Sequence, residues 1–353
     1  PPAQWVLENE YLRATLDPAT GQMASLLHKA TNTETFATQG NQLQLFKDQG
    51  QYWDAWNIAP DYQHHPLDHI RLQGMAWIEQ GPVRQTVRVV YTLNQSTITQ
   101  DYCLDVGSPV LAVHTEVDWH ETQVVLKVAF PLTVSAPQAT YEIPFGAIAR
   151  STHPTTPAEQ AKWEVPALRW ADLGDDDFGV SILTDYKHGF DATPNQLRLT
   201  LLKAPLWPDP GCDRGLQSFS YAIYPHGQGW QQAKTVQAAR NFNLPIRAVL
   251  SKMFLSEHSP GLPDSPTAIS WLDLGDTSFV LAALKQSEDS DHQYILRGYE
   301  SVGIQGDLTI GGHLPMEVIV SVNLLEQVQS AEWEALTPWQ IKGLKIACRQ
   351  AKG

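Results

Sequence analysis

Two stretches of the chain gather residues able to recognise a sugar. In QYWDAWNIAPDY, from Gln51, two Trp and two Tyr surround Asp54 and Asp61 with little alternation. An indole or phenol ring stacks on the apolar C–H face of a pyranose, and a carboxylate beside it accepts hydroxyl hydrogen bonds. The same residues would also build an aromatic core corner in which Asp54 caps a turn. In KAPLWPDPGCDRGLQSFSYAIYPH, from Lys203, a strand-like run ends, a Pro-rich excursion carries Trp207, Asp209, Asp213 and Arg214, and a strand resumes at Phe219. A loop so rich in Pro is stiff, and charges held on it are placed to line a cleft. The plainer alternative is a surface loop with a local Asp213–Arg214 pair.

Other constellations carry less. Retaining glycoside hydrolysis needs two carboxyl groups flanking one bond, one of them the nucleophile, and no local pattern singles out such a pair. HHPLDH, from His64, brings His64, His65, Asp68 and His69 together at a spacing that matches no metal-ligand pattern, and reads as an exposed loop. SEDSD, from Ser287, lacks the Gly and terminal Glu of a calcium loop and reads as a solvated hairpin tip. There is no Gly-rich phosphate loop, no GxSxG elbow and no Cys–His nucleophile pair.

The elements that must position these residues read as strands. VRQTVRVVYTL from Val83, PVLAVHTEVDW from Pro109, VVLKVAFPLTV from Val124 and QLRLTLL from Gln196 are alternating or short apolar runs. WVLENEYLRATLDPATGQMASLLHK, from Trp5, reads as two strands about an Asp-Pro-Ala-Thr-Gly turn, Gly21 supplying the permissive backbone. GWQQAKTVQAARNF, from Gly229, carries a helical pattern ending before Leu244-Pro245. SEHSPGLPDSP, from Ser256, has the composition of a linker, beyond which AISWLDL, SFVLAALK, YILRGYES and MEVIVSVNLLE read again as strands. The expected fold is all-β: a large sandwich over residues 1–260 and a small terminal β-sandwich over 267–353. The 24 Pro and 23 Gly spread along 353 residues suit many short strands joined by tight turns.

A net charge of −14 without a basic patch argues against nucleic acid as a partner. No run approaches 18 apolar residues, so no membrane span is expected. Three cysteines at wide spacing give neither a disulfide framework nor a zinc site, which points to a reducing, cytoplasmic compartment. A chain opening on Pro1-Pro2 directly before a strand-like segment reads as the middle of a longer polypeptide.

LENEYLRATLDPATGQMASLLHK from Leu7, YWDAWNI from Tyr52, EVDWHETQVVLKVAFP from Glu116 and the block from Ile143 to His226 follow one another as in the C-terminal region of glycoside hydrolase family 38. Within that block lie IPFGAIARSTHP, AKWEVPALRWADL, FGVSILTDYKHGFD and SFSYAIYPH, and the later SEDSDHQYILRGYES and SVNLLE extend the match. The chain resembles the branch containing the cytosolic and vacuolar α-mannosidases, over nearly its whole length. The resemblance implies a retaining α-mannosidase acting on mannose-containing oligosaccharides. Its divalent metal, usually zinc, and its nucleophile would sit on an N-terminal catalytic domain of the same polypeptide. It implies a galactose-mutarotase-like supersandwich that packs on that domain and completes the substrate pocket. Tyr52, Asp54, Trp56, Asp213 and Arg214 are the substrate-binding residues it suggests, with no catalytic or metal-ligating residue in this region. Arg214 matches by position an Arg that reaches the sugar in some members. The chain departs from the usual pattern at Asn57, where members more often carry Asp. The rival reading is a stand-alone carbohydrate-binding or structural β module. A mutarotase-like epimerase is a weaker third, since it would need a convergent His and Glu pair.

Overall fold

The structure, a computed structural model, describes residues 5–50, 53–248, 270–275, 278–313 and 316–348. The chain divides into two compact units, Pro1–Ile143 with Ile148–Leu244, and Pro144–Ala147 with Pro245–Gly353. The boundary expected between residues 260 and 267, and the linker-like SEHSPGLPDSP, lie outside the described residues.

The larger unit is built on a nine-stranded and a six-stranded antiparallel sheet, with a four-stranded sheet from Val6–Glu8 to Thr33–Glu34 beside them. The nine strands run in the order Gly146–Ser151, Gln138–Ile143, Trp170–Gly174, Phe178–Thr184, Gly215–Gly227, Leu111–Trp119, Ser96–Asp105, Arg84–Leu93 and Arg71–Gln80. Leu111–Trp119 alternates strictly and sends Val113 and Val117 into the core. Phe130 on the six-stranded sheet meets Tyr221 on the nine-stranded one at 6.1 Å between ring centroids. One apolar cluster spans both sheets, and packing of this kind makes a sandwich.

The six-stranded sheet orders Val165–Pro166, Gly189–Thr193, Gln196–Lys203, Val124–Pro131, Gln42–Lys47 and Pro66–Leu67. Its strand Val124–Pro131 is buried on both faces. Leu126, Val128 and Phe130 enter the sandwich core, while Val125 packs outward with Phe46, Ile58, Ala59, Tyr62 and Trp163. The segment after Trp53 therefore covers this sheet's outer face. Also outward and fully buried is Lys127, whose ammonium reaches Glu164 and lies 2.8 Å from both Asp191 Oδ2 and Thr200 Oγ1. Arg198 Nε donates to Asp191 Oδ1 at 2.7 Å and its Nη2 to Tyr62 Oη at 3.0 Å, closing a buried ionic layer. Burial alone would lower the Lys127 pKa, but the charges of Asp191 and Glu164 hold it above the ordinary lysine value.

The turn after Leu16 forms as its residues dictate: Asp17 accepts from the Ala19 amide at 2.9 Å, and Gly21 takes φ +71°. The helix in the GWQQAK segment spans only Thr235–Asn243. Lys234 at φ +57° interrupts the helical path, so Gly229 to Lys234 form turns instead. In the smaller unit a five-stranded sheet orders Phe279–Ser287, Ser290–Glu300, Ile341–Cys348, Met316–Val322 and Val328–Ser330, over a core of Phe279, Leu296, Leu308, Leu336, Leu344 and Ile346. Ser287 and Ser290 pair across the SEDSD tip. The expected strand AISWLDL departs from this pattern: of its described residues 270–274 only Asp273 bridges, to Gly311. The fold class is all-β, with a large sandwich and a small terminal one. Among the described residues no helix is long and apolar enough to cross a membrane.

Candidate functional site

The two aromatic and charged stretches meet at one corner on the outer face of the six-stranded sheet. Strand Gln196–Lys203 delivers Lys203, whose ammonium donates to the backbone carbonyls of Asp54 and Asn57 and lies 3.1 Å from Asp48 Oδ2. Asp48 Oδ1 accepts from the Ala59 amide at 2.8 Å. The buried Asp54 carboxylate accepts from the Leu206 amide at 2.8 Å and from the Trp207 amide at 3.0 Å. Lys203 and Asp54 thus stitch the WDAW turn to the Pro-rich loop in opposite directions.

What this stitching presents is three indoles. Trp53, at φ +56°, turns the chain so that the Trp56 amide donates to its carbonyl at 2.8 Å. The Trp53 and Trp207 ring centroids lie 4.5 Å apart, Trp56 and Trp207 5.2 Å, and Trp53 and Trp56 6.3 Å. Yet the residues remain 62%, 68% and 46% exposed. Large apolar rings clustered in water, on a base of charged and backbone hydrogen bonds, mark an interaction surface more than a folding remnant.

Of the residues expected to meet substrate, Trp56 is in this cluster and Asp54 directly beneath it, occupied with backbone amides. Asp213 is on the adjoining loop at φ +60°, followed by Gly215 at φ +90°. It is exposed, but desolvation by its surroundings still raises its carboxyl above the usual range, with the charges of Lys187 and Lys203 opposing. Arg214 is exposed and makes no hydrogen bond or ion pair among the described residues. Tyr52 lies outside the described residues. The residues that sequence reasoning missed are Asp48, Lys203 and, in the adjoining ionic layer, Lys127, Glu164 and Asp191. A Lys in the apolar run VVLKVAF is a local conflict that announces a buried partner.

The HHPLDH histidines stay apart: His65 Nε2 lies 3.2 Å from Asp61 Oδ2, and His69 Nδ1 3.3 Å from Asn94 Oδ1. Among the described residues no three His, Cys, Asp or Glu side chains converge as a metal site. Cys103 and Cys212 are free thiols, each pushed above the ordinary value by burial. A Ser–His–Asp group is present but structural. His226 Nε2 faces both Asp172 Oδ2, at 2.9 Å, and Ser181 Oγ, at 3.1 Å, whereas a relay needs acid and nucleophile on opposite ring nitrogens. Its members are buried, and Ser181 Oγ also meets Thr235 Oγ1 at 2.9 Å, which ties the helix Thr235–Asn243 to the sheet.

Comparison with known proteins places this architecture. Residues 7–211 match the glycosyl hydrolases family 38 C-terminal domain, and residues 278–344 the glycosyl hydrolases family 38 C-terminal beta sandwich domain. The chain is 38% identical to Alpha-mannosidase 2C1 of Mus musculus, over 91% of this chain and 30% of that protein. It is 30% identical to Alpha-mannosidase G of Dictyostelium discoideum, over 92% and 30%. The chain thus spans about 30% of the length of these curated relatives. The crystal structure of an alpha-mannosidase from Enterococcus faecalis V583 superposes with a TM-score of 0.80 over 98% of this chain and 42% of that one, at 15% identity, which shows a shared fold. The large and small sandwiches are those of one family, and the chain belongs to glycosyl hydrolase family 38, of which it carries the C-terminal domain and the C-terminal beta sandwich domain.

Proposed function

We propose that this chain is the C-terminal part of a retaining α-mannosidase that hydrolyses terminal α-D-mannosides. In that enzyme it scaffolds an N-terminal catalytic domain and lines the substrate pocket with Tyr52, Asp54, Trp56, Asp213 and Arg214. The observation that carries the reading is the exposed Trp53–Trp56–Trp207 corner, whose Trp207 shares a loop with Asp213 and Arg214, in a chain whose relatives are named α-mannosidases. Indoles give a pyranose an apolar face to stack on, and the loop charges give its hydroxyls partners. Asp54 acts through Trp207, which its carboxylate holds in place. Nucleophile and divalent metal, zinc, are assigned to the N-terminal domain. A cytoplasmic location accords with the free thiols of Cys103 and Cys212.

The test compares the full-length protein with the 353-residue chain on an aryl α-mannoside, with and without added zinc. The full-length protein is expected to turn over substrate and the chain alone to be inactive, since loss of a nucleophile removes several orders of magnitude in rate. Turnover by the chain at ordinary enzyme rates would place the active site within these residues and overturn the assignment.

A further inference from the structure

Beside Trp56 lies a cleft of about 350 Å³, lined among others by Trp56, Asn57, Glu164, His188, Gly189 and Lys203. That is near the lower end of volumes that take a small ligand, about 300–1,000 Å³, and suits a single sugar ring. Its chemistry follows from which groups are already engaged. Lys203 has three partners, the Asp54 and Asn57 carbonyls and Asp48. Behind the cleft, Lys127 is held by Glu164, Asp191 and Thr200. Among the described residues lining the cleft no cation is left to attract an anion.

The groups left over are acceptors. Glu164 Oε2 accepts from Lys127 and, at 2.5 Å, from Thr200 Oγ1, whereas Oε1 has no hydrogen bond among the described residues. Oε1 sits over Gly189, where a Cβ would come within 2.4 Å of it, so the absence of a side chain at residue 189 makes room for the carboxylate. His188 Nδ1 lies 3.0 Å from the Ala167 carbonyl and 3.1 Å from the Leu168 carbonyl. Carbonyls only accept, so Nδ1 carries the proton and, in the neutral ring, Nε2 is a free acceptor. Glu164 and His188, each with an acceptor atom unengaged among the described residues, line one cleft with an indole that is 68% exposed, which calls for a neutral ligand rich in hydroxyl donors with one apolar face.

We infer that the Trp56–Glu164–His188 cleft is a hexopyranoside-binding subsite that works in this chain without any catalytic domain. The choice of a mannoside as probe rests on the function proposed above; the site itself rests on the acceptor geometry. The experiment is saturation-transfer NMR and calorimetric titration of the 353-residue chain with methyl α-D-mannopyranoside. Binding is expected with a Kd on the order of 1 mM, the range open to so small and polar a ligand, with saturation concentrated on the protons of one ring face. Trp56→Ala and His188→Phe should each weaken binding about tenfold or more while the melting temperature of Trp56→Ala, an exposed site, stays that of the parent. Absence of saturable binding to a mannoside, glucoside or galactoside, or binding that neither variant alters, overturns the inference. Its failure is separable from that of the mannosidase reading. Full-length enzyme that hydrolyses mannosides while its chain binds no hexoside removes the subsite alone. A full-length protein inactive on mannosides whose cleft still binds a hexoside removes the mannosidase reading alone.

Discussion

The composition about Asp54 suggests a carboxylate that meets a sugar directly, whereas the structure engages both of its oxygens with backbone amides. The carboxylate accepts from the Leu206 and Trp207 amides and so anchors the loop that carries the Trp207 indole. Asp54→Ala removes two charge-assisted hydrogen bonds and should cost about 2–4 kcal/mol of stability. In the proposed full-length mannosidase it should also lower kcat/KM roughly ten- to a hundredfold through the displaced loop. Asp54→Asn keeps one acceptor oxygen and should lose about half the stability cost. Thermal melts paired with steady-state kinetics check both; full kcat/KM in folded Asp54→Ala would leave the residue a purely structural cap. Each aromatic stretch was legible from its own composition. Their meeting was not, because Asp54 and its amide partners are more than 150 residues apart and no local pattern encodes that pairing. Lys203 escaped notice because a Lys closing a strand looks like an ordinary solvated end.

The strands that were easiest to read are those with one wet face, such as Leu111–Trp119, where alternation reports burial directly. Val124–Pro131 carries a mixed signal because it is covered on both sides, by the sandwich core and by the segment behind Trp53. The four-residue helix Pro157–Gln160 went unpredicted although Thr156 and Glu159 spell a capping box with Pro at its first position. The ionic layer on the six-stranded sheet predicts a large effect. Lys127→Met leaves Glu164 without its cation and Asp191 with Arg198 alone, and should destabilise by about 3–5 kcal/mol. Urea unfolding with an unchanged slope and a lower midpoint is the expected signature; a loss below about 1 kcal/mol would show that the layer reorganises around the gap. The four-stranded sheet, whose strand Met23–His28 ends on a buried histidine, predicts a pH effect. Burial lowers the His28 pKa, and His226 nearby adds to the shift. A lowered histidine contributes stability that is present above the unfolded value near 6.5 and lost as pH falls through the folded one. His28→Gln should therefore flatten the decline in melting temperature as pH falls from about 6.5, while changing little of the slope above it; parallel curves for parent and variant would exclude His28 as the source.

At the scale of the whole chain, all-β architecture with a large and a small sandwich was legible in the rhythm of short runs and turns, whereas strand order was not. Period-two patterning says which face of a strand is buried and nothing about its neighbour. The order found has a consequence for the chain's birth as well as its folded form. Strand Gly215–Gly227 occupies the middle of the nine-stranded sheet, between Leu111–Trp119 and Phe178–Thr184. Thr115 must wait for Phe219, about 100 residues later, and at a synthesis rate of ~5–20 residues per second that is roughly 5–20 seconds during which a strand with a strongly apolar face stands unpaired on one side. Closure is a late and non-local event, the kind that makes β topologies slow. Through that interval the nascent sheet keeps an open edge, and synonymous codon changes that slow or hurry the ribosome between residues 120 and 215 should alter the yield of folded protein with no change in its sequence.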